Sequence, residues 1–153
     1  MQTWIDQHTS AAILIAVLWF LIMWIGLASL IARMSGWHLL AIRFRLQGDF
    51  LGPKWSFQSA QTRWLTHYNG CLTVGADPSG LFIQPFIIFR FGHPPLFIPW
   101  TEITVGTTQV LLMVMTDLRL GRGEQIPFKI RSSLAARLRS AAGQGWPAAL
   151  TPL

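Results

Sequence analysis

The longest uncharged apolar stretch in the chain, Ala11 to Ala32, constrains the fold more than any other feature. It reads AAILIAVLWFLIMWIGLASLIA, and Ser29 carries its only hydroxyl. These twenty-two residues would extend about 33 Å as an α-helix, enough to cross a hydrocarbon core of about 30 Å. Because backbone N–H and C=O groups in lipid must be bonded within the segment, such a run predicts a membrane-spanning helix. The rest of the chain is then expected to be a domain held at a membrane.

The residues around this stretch indicate an uncleaved anchor rather than a secretory signal peptide. A signal peptide has a basic start, an apolar region of about 7–15 residues and small residues before its cleavage site. The first ten residues here contain Asp6 but no Lys or Arg, and the apolar run is too long. Bulky Leu30 also stands where cleavage after Ala32 would need a small residue. We therefore assign residues 1–34 to a transmembrane anchor.

Basic and aromatic residues near the anchor predict its orientation. Arg33, Arg43 and Arg45 follow the apolar run closely, whereas no basic residue precedes it. Since positive charge favours the cytoplasmic side, we expect the N-terminus outside and the C-terminal domain in the cytoplasm. Trp4 and Trp37 suit the two headgroup regions, where amphipathic indole rings accumulate. These five residues form the predicted membrane interface of a single-pass protein of a cell inner membrane.

A short juxtamembrane segment, residues 35–53, joins the anchor to the domain. Helical spacing after Ser35 and Gly36 gives this segment two apolar faces, one of Trp37, Leu40, Ala41 and Phe44, the other of Leu39, Ile42 and Leu46. An amphipathic helix of this kind would contact both the bilayer and the domain, with its arginines at the lipid phosphates. The alternative is that the segment simply extends the anchor helix.

From Lys54 onward the pattern becomes strand-like. Short runs rich in β-branched and aromatic residues alternate with breakers such as Asn69-Gly70. They predict these candidate strands: Trp55–Ala60, Arg63–Tyr68, Cys71–Val74, Leu81–Pro85, Phe86–Phe91, Leu96–Ile98, Glu102–Val105, Gln109–Thr116 and Gln125–Ile130. Some must merge, which leaves about 6–8 antiparallel strands. Because residues 86–89 and 110–115 are apolar without alternation, both of their faces are expected to be covered.

One helix signal closes the domain. Ser132 or Ser133 would cap the helix, and Gly143 would end it. The apolar residues between them share one face: Leu134, Ala135, Leu138 and Ala142. We assign residues 54–143 to the domain and residues 144–153 to a loose tail, in which Trp146 could dock.

Two stretches carry a family resemblance. They are Gly80-Leu81-Phe82-Ile83 and Phe89-Arg90-Phe91-Gly92-His93-Pro94-Pro95-Leu96-Phe97-Ile98-Pro99-Trp100-Thr101-Glu102-Ile103. Together with the order of elements, they resemble a pleckstrin-homology-like (PH-like) domain of the kind found in small membrane-anchored bacterial proteins. The resemblance covers roughly Lys54–Ala142, and it implies a split β-barrel capped by a C-terminal helix. Those proteins are mostly uncharacterised, so it implies a fold more than a function.

One departure from the wider PH-like superfamily bears on the ligand. Its phosphoinositide-binding members place several Lys and Arg in the first hairpin loop, whereas only Lys54 and Arg63 stand in that region here. This difference argues against specific inositol-phosphate recognition. Non-specific attraction to anionic lipid headgroups is still expected, because the chain after Ala32 holds twelve basic and five acidic residues, a formal net charge of +7.

The sequence contains no recognisable catalytic or metal-binding motif. HExxH, CxxC and Gly-x-Ser-x-Gly are missing, Cys71 is the only cysteine, and the four histidines lack metal-ligand spacing. We therefore expect neither a cofactor nor enzymatic activity. Nucleic-acid binding is disfavoured because no basic stripe alternates with aromatic residues.

Two functions remain open at this stage. The first is a non-enzymatic binding or scaffolding module that recruits or stabilises a protein partner, or further copies of itself, at the cytoplasmic face. The alternative is a module that senses anionic lipid. The candidate binding residues are Arg90, His93, Trp100 and Glu102, which would form a rigid, aromatic-lined lip for a peptide or a headgroup. A purely structural alternative pairs Arg90 with Glu102 and uses Trp100 to fill the barrel.

Overall fold

The computed structural model of the chain describes residues 2–63, 66–110 and 113–148. Its first element is helix α1, Gln2–Met34, which contains the predicted anchor. Within the described part, the segment His8–Met34 is long and apolar enough to span a membrane, with a mean hydropathy of 2.6. Only 6% of the most apolar 18-residue stretch in this segment is buried, whereas the core helix of a soluble protein would be mostly covered by other elements. This exposure favours membrane anchoring.

The juxtamembrane segment forms a separate short helix. Helix α2, Trp37–Phe44, follows a break at Gly36, whose φ of 82° lies in the left-handed region. The extension of the anchor helix is therefore ruled out. Trp37, Leu40 and Phe44 are buried against the domain. The other predicted face is exposed, at 43% for Leu39 and 70% for Ile42.

Seven strands form one antiparallel sheet that curves into a half-barrel. Their bounds are β1 Lys54–Gln61, β2 His67–Ala76, β3 Gly80–Pro85, β4 Leu96–Pro99, β5 Ile103–Val110, β6 Met113–Leu120 and β7 Ile126–Arg131. Their spatial order is β4-β3-β2-β1-β7-β6-β5. β1 joins the two halves, because it pairs with β2 along its length and with β7 through Ala60 and Gln61.

Helix α3, Ser132–Ala142, packs on the concave side of the sheet, against β2, β6 and β7. Its buried residues are the four predicted from spacing: Leu134, Ala135, Leu138 and Ala142. The core beneath it contains fully buried residues from both halves of the sheet, among them Val74, Ile83, Leu118 and Ile130. The predicted layout of apolar helix, mainly-β half-barrel and capping C-terminal helix is thus confirmed.

Several predicted element bounds are wrong. The candidate strand Phe86–Phe91 is instead a loop with one 3-10 turn, Ile87–Phe89, and its apolar side chains are exposed rather than covered. Asn69-Gly70 does not break the chain but lies inside β2, where Gly70 adopts a φ of 63°. The candidate strand Gln109–Thr116 is shared between β5 and β6, and residues 111–112 lie outside the described part.

The predicted loose tail is also corrected over its first residues. A 3-10 turn, Gly143–Gly145, brings the indole of Trp146 to 5.2 Å from that of Trp100, measured between ring centroids. Trp146 is partly buried in this contact. Residues 149–153 lie outside the described part of the chain.

Candidate membrane-facing interface

The β3–β4 loop, residues 86–95, runs alongside the anchor helix. The indole N–H of Trp24 donates a hydrogen bond to the carbonyl of Ile88 at 3.1 Å. The ring of Trp24 also lies 5.7 Å from that of Phe89. Farther along the loop, Gly92 lies directly against residues 29–32 of α1. The loop therefore contacts the helix at two levels.

A buried aromatic cluster of Trp37, Tyr68 and His93, the junction cluster, connects α2, β2 and this loop. The Trp37 indole N–H donates to the carbonyl of Pro94 at 2.9 Å. Its ring lies 5.3 Å from His93 and 5.8 Å from Tyr68. All three side chains are at most 6% exposed. Since Trp37 follows the break at Gly36, the cluster fixes the direction in which the chain leaves the anchor.

Burial favours the uncharged forms of the two titratable groups in the junction cluster, Tyr68 and His93. Burial raises the pKa of Tyr68 to about 12 and lowers the pKa of His93 below its ordinary 6.5. The two groups lie 2.9 Å apart. Because Nδ1 of His93 faces a carbonyl, which can only accept, a neutral ring with its proton on Nδ1 leaves Nε2 to accept from the Tyr68 hydroxyl. Nδ1 of His93 then carries the proton and faces the Phe91 carbonyl at 3.4 Å. The imidazole thus acts as a neutral bridge between β2 and the loop.

A basic recess opens beside the junction cluster. It has a volume of about 440 Å³ and lies between α2 and the β3–β4 loop. Its lining consists of His38, Ala41, Ile42, Arg45, Arg90, Gly92 and Pro94. Arg45 and Arg90 have no carboxylate partner in the described part of the chain. The recess therefore combines two uncompensated guanidinium groups and an imidazole with a partly apolar wall.

A second recess, of about 490 Å³, shares Arg90 with the first. It also contains Lys54, Asp49 and Gln84. With its amide oxygen turned toward the guanidinium, Gln84 accepts a hydrogen bond from Nε of Arg90 at 3.1 Å. This neutral contact orients Arg90 without cancelling its charge.

The four candidate binding residues do not form one site. Arg90 and His93 lie in the β3–β4 loop near the anchor, whereas Trp100 and Glu102 lie beyond strand β4. Trp100 is 5% exposed and donates from its indole N–H to the Asp77 carbonyl at 2.8 Å, which agrees with the structural alternative.

The expected ion pair between Arg90 and Glu102 is not present among the described residues. Glu102 instead accepts from the backbone N–H of Arg122 at 3.1 Å and lies 3.9 Å from the Arg43 guanidinium. Arg90 remains with Gln84 at the other end of β4. The lip proposed from sequence therefore divides into a loop near the anchor and a structural turn.

The predicted membrane-interface residues have different environments. Arg33 is exposed in the last turn of α1, and Arg45 lines the basic recess. Arg43 forms an ion pair with Glu124 at 3.2 Å, which compensates its charge. Trp37 is buried in the junction cluster rather than open to a headgroup region. The side chain of Trp4 lies outside the described part.

Sequence reasoning missed Trp24, Tyr68 and the exposed tip of the β3–β4 loop. Within the uncharged run, nothing local to Trp24 indicates a contact with the domain, because its partner at Ile88 is distant in sequence. The run of residues 86–89, apolar without alternation and directly after Pro85, was the available signal. It fits a loop facing lipid as well as a buried strand.

An apolar cleft of about 360 Å³ lies between α1 and β2, on the other side of the loop. Cys71 contributes to its wall, and burial raises the pKa of the Cys71 thiol above its ordinary value, so the thiol stays protonated near neutral pH. Over the described residues, no group of three or more His, Cys, Asp or Glu side chains could hold a metal ion. The cleft thus offers apolar contact rather than a reactive group.

Comparison of the chain with protein-family models and with curated proteins found no match in either case.

Proposed function

We propose that this chain is a single-pass protein of the bacterial inner membrane whose cytoplasmic, PH-like domain binds anionic lipid headgroups and performs no catalysis. The observation that carries the proposal is the convergence of His38, Arg45 and Arg90 on one recess at the anchor side of the domain. Arg33, exposed in the last turn of α1, adds a further positive charge nearby in the chain.

The positions of the ion pairs in the domain support anionic lipid headgroups as the ligand. Glu102 and Glu124 lie beside Arg43, and Asp117 pairs with Arg119 at 3.2 Å. Asp49 lines the second recess with Arg90 but forms no ion pair with it, so the two arginines of the basic recess have no anionic partner among the described residues. A lipid phosphate would supply that partner, and a guanidinium group suits it because it can donate two parallel hydrogen bonds.

The proposal is tested with the full chain reconstituted in vesicles of phosphatidylcholine that contain a small fraction of spin-labelled phosphatidylglycerol. Each basic residue near an anionic surface contributes about 1 kcal/mol, so Arg45→Gln with Arg90→Gln would lower phosphatidylglycerol enrichment around the protein by roughly 30-fold. The enrichment of the unchanged protein should also weaken with salt.

The matched control is Arg137→Gln with Arg139→Gln, which removes the same charge from the exposed face of α3. We expect this pair to retain most of the enrichment. An equal loss in both pairs would show that net charge, rather than the recess, attracts the lipid. Unchanged enrichment in the recess variant would contradict the proposal directly.

A second candidate function, recruitment of a protein partner or a further copy of the chain, rests on strand β5. β5 stands at one end of the sheet, and β6 is its single neighbour among the described strands, so its eight residues offer an edge that can accept an added strand. A cysteine at exposed Thr107 should then form a crosslink to a stoichiometric partner in detergent extracts. A monomer on sizing, without any crosslink, would count against this function.

A further inference from the structure

The tip of the β3–β4 loop exposes large apolar side chains together. Phe86, Ile87, Ile88 and Phe91 are 49%, 65%, 50% and 51% exposed. The lipid-facing side chains of α1 have similar values, for example 58% for Ile13. On a surface in water, a cluster of this kind would be unfavourable, because each side chain leaves apolar area in contact with solvent.

Strand β1 extends this apolar tip. Phe57 is 74% exposed, and its ring lies 6.3 Å from that of Phe86. It has a φ of 58° at an irregularity in the pairing of β1 with β2. A positive φ is unfavourable for a bulky residue, so the backbone here is strained in a way that leaves the ring exposed beside the loop.

The contacts with α1 give the depth of the tip. Trp24, which binds the Ile88 carbonyl, lies eight residues before Ala32 and therefore about 12 Å farther along the helix. The apolar run of the anchor ends at Ala32, and the charge of Arg33 marks the nearby membrane boundary. Because half of a hydrocarbon core is about 15 Å thick, the 3-10 turn lies at the depth of the acyl chains.

The backbone carbonyls of the tip are bonded within the protein. The carbonyls of Phe86 and Ile87 accept from the N–H groups of Phe89 and Arg90, at 2.9 and 3.3 Å. The carbonyl of Ile88, which the turn leaves open, accepts from Trp24. Three consecutive carbonyls are thus bonded within the protein, which lowers the cost of placing them in an apolar medium, whereas the N–H groups of Ile87 and Ile88 have no partner among the described residues.

From this geometry we infer that the loop tip, residues 86–91 together with Phe57, inserts into the hydrocarbon of the same leaflet beside the anchor helix. The partner of this surface is the acyl-chain region of the bilayer that α1 crosses. Arg90, at the base of the tip, lines the basic recess and so lies toward the headgroups. The inference rests on the membrane anchoring in the proposed function, but it does not require an anionic lipid.

Depth-dependent fluorescence quenching tests the inference in the full chain. In a Cys71→Ala background, Ile87→Cys is labelled with an environment-sensitive fluorophore and reconstituted in vesicles of phosphatidylcholine alone. The control is Ser79→Cys, because exposed Ser79 lies in the turn at the opposite end of β3. Nitroxide groups are carried on lipid headgroups or in the middle of the acyl chains.

At position 87 we expect blue-shifted emission that is lost mainly to the acyl-chain nitroxide and little affected by aqueous iodide. At position 79 we expect emission without a blue shift, strong quenching by aqueous iodide and little quenching by the acyl-chain nitroxide. The inference would be overturned if iodide quenched position 87 as strongly as position 79. It would also be overturned if the headgroup nitroxide quenched position 87 more strongly than the acyl-chain nitroxide. Ile88→Cys repeats the measurement if the first variant fails to fold. Because the vesicles lack anionic lipid, insertion and headgroup binding can fail separately.

Discussion

Replacing Gly92 with alanine tests whether the β3–β4 loop is docked on the anchor helix as the structure shows. Gly92 has a φ of 77°, and an added Cβ would lie 3.1 Å from Cα of Ser29 and 3.3 Å from Cβ of Ala32. Carbon atoms pack best at about 3.5–4.0 Å, so the loop and the helix would have to separate by a few tenths of an ångström. Overpacking of this kind costs about 1–3 kcal/mol.

Gly48 provides the matched control. Its φ of 93° is also left-handed, but an added Cβ would meet nothing within 4 Å. The backbone cost of alanine, about 1–2 kcal/mol, is therefore common to both variants. The difference between them isolates the contact with α1. The contact with α1 adds a cost of at least about 1 kcal/mol to Gly92→Ala. A loss of 1 kcal/mol lowers Tm by about 4–8 °C in a domain near 100 residues, so Gly92→Ala should lower Tm at least about 4 °C more than Gly48→Ala.

The assay is thermal unfolding of the full chain in detergent micelles, together with hydrogen exchange of the peptide that covers residues 86–92. Gly92→Ala should accelerate exchange in this peptide, because it separates the Ile88 carbonyl from its donor on Trp24. Gly48→Ala should leave that exchange unchanged. Equal losses of Tm, with equal exchange in the peptide, would refute the docking of the loop on the anchor.

Three further results are expected. Trp24→Phe removes the hydrogen-bond donor to the Ile88 carbonyl and should lower the free energy of unfolding in micelles by about 1 kcal/mol. Trp19→Phe should change Tm little, because the Trp19 ring is exposed and forms no hydrogen bond with the described residues. Burial lowers the pKa of His93 below 6.5 in the folded protein. As the pH drops below 6.5, the unfolded chain therefore binds a proton at His93 before the folded chain does, and the stability of the fold should decrease. His93→Gln should flatten this part of a curve of Tm against pH. Leu138→Ala, at a fully buried side chain of α3, should lower the free energy of unfolding by about 2–5 kcal/mol, measured by denaturant titration.

The elements that sequence predicts well are those whose pattern depends on local physics alone. The anchor follows from length and lack of charge, and the buried face of α3 follows from helical spacing between Ser132 and Gly143. Strands β3, β4 and β7 similarly follow turn residues, at residues 77–80, 94–95 and 121–123. In each case the medium on either side of the segment, lipid, core or water, can be inferred from the residues themselves.

Prediction failed where the partner of a segment is distant in the chain. The run of residues 86–89 has the composition of a buried strand, and only its position beside Trp24 shows that no second layer of protein covers it. The β5–β6 connection was missed because the sequence around residues 109–113 contains neither Gly nor Pro. At Gly70, the turn signal corresponds to an irregularity in the pairing of β2 with β1, between Tyr68 and Leu72, rather than to the end of a strand.

The four candidate binding residues were grouped by their proximity in sequence. Arg90, His93, Trp100 and Glu102 are close in sequence, but the four residues of β4 separate them by about 13 Å of extended chain. Proximity in sequence is a good guide within a helix, where residues three or four apart are neighbours, and a poor guide across a strand. The side chains that gather around Arg90 come instead from α2, through His38 and Arg45.

The contacts between α1 and the domain determine how the domain meets a bilayer. A two-residue connection through Ser35 and Gly36 would by itself let the domain swivel beneath its anchor. Docking at Trp24 and at residues 29–32 restricts that freedom, because these two contacts at different levels of α1 hold the loop along the helix. Beyond the connection, Trp37 holds α2 to the same loop through the Pro94 carbonyl. The same orientation places the apolar tip along the helix and the basic recess below it. If the loop inserts as proposed, this arrangement matches the order of acyl chains and phosphates along the membrane normal, so weakening the docking at Gly92 should impair loop insertion and headgroup binding together.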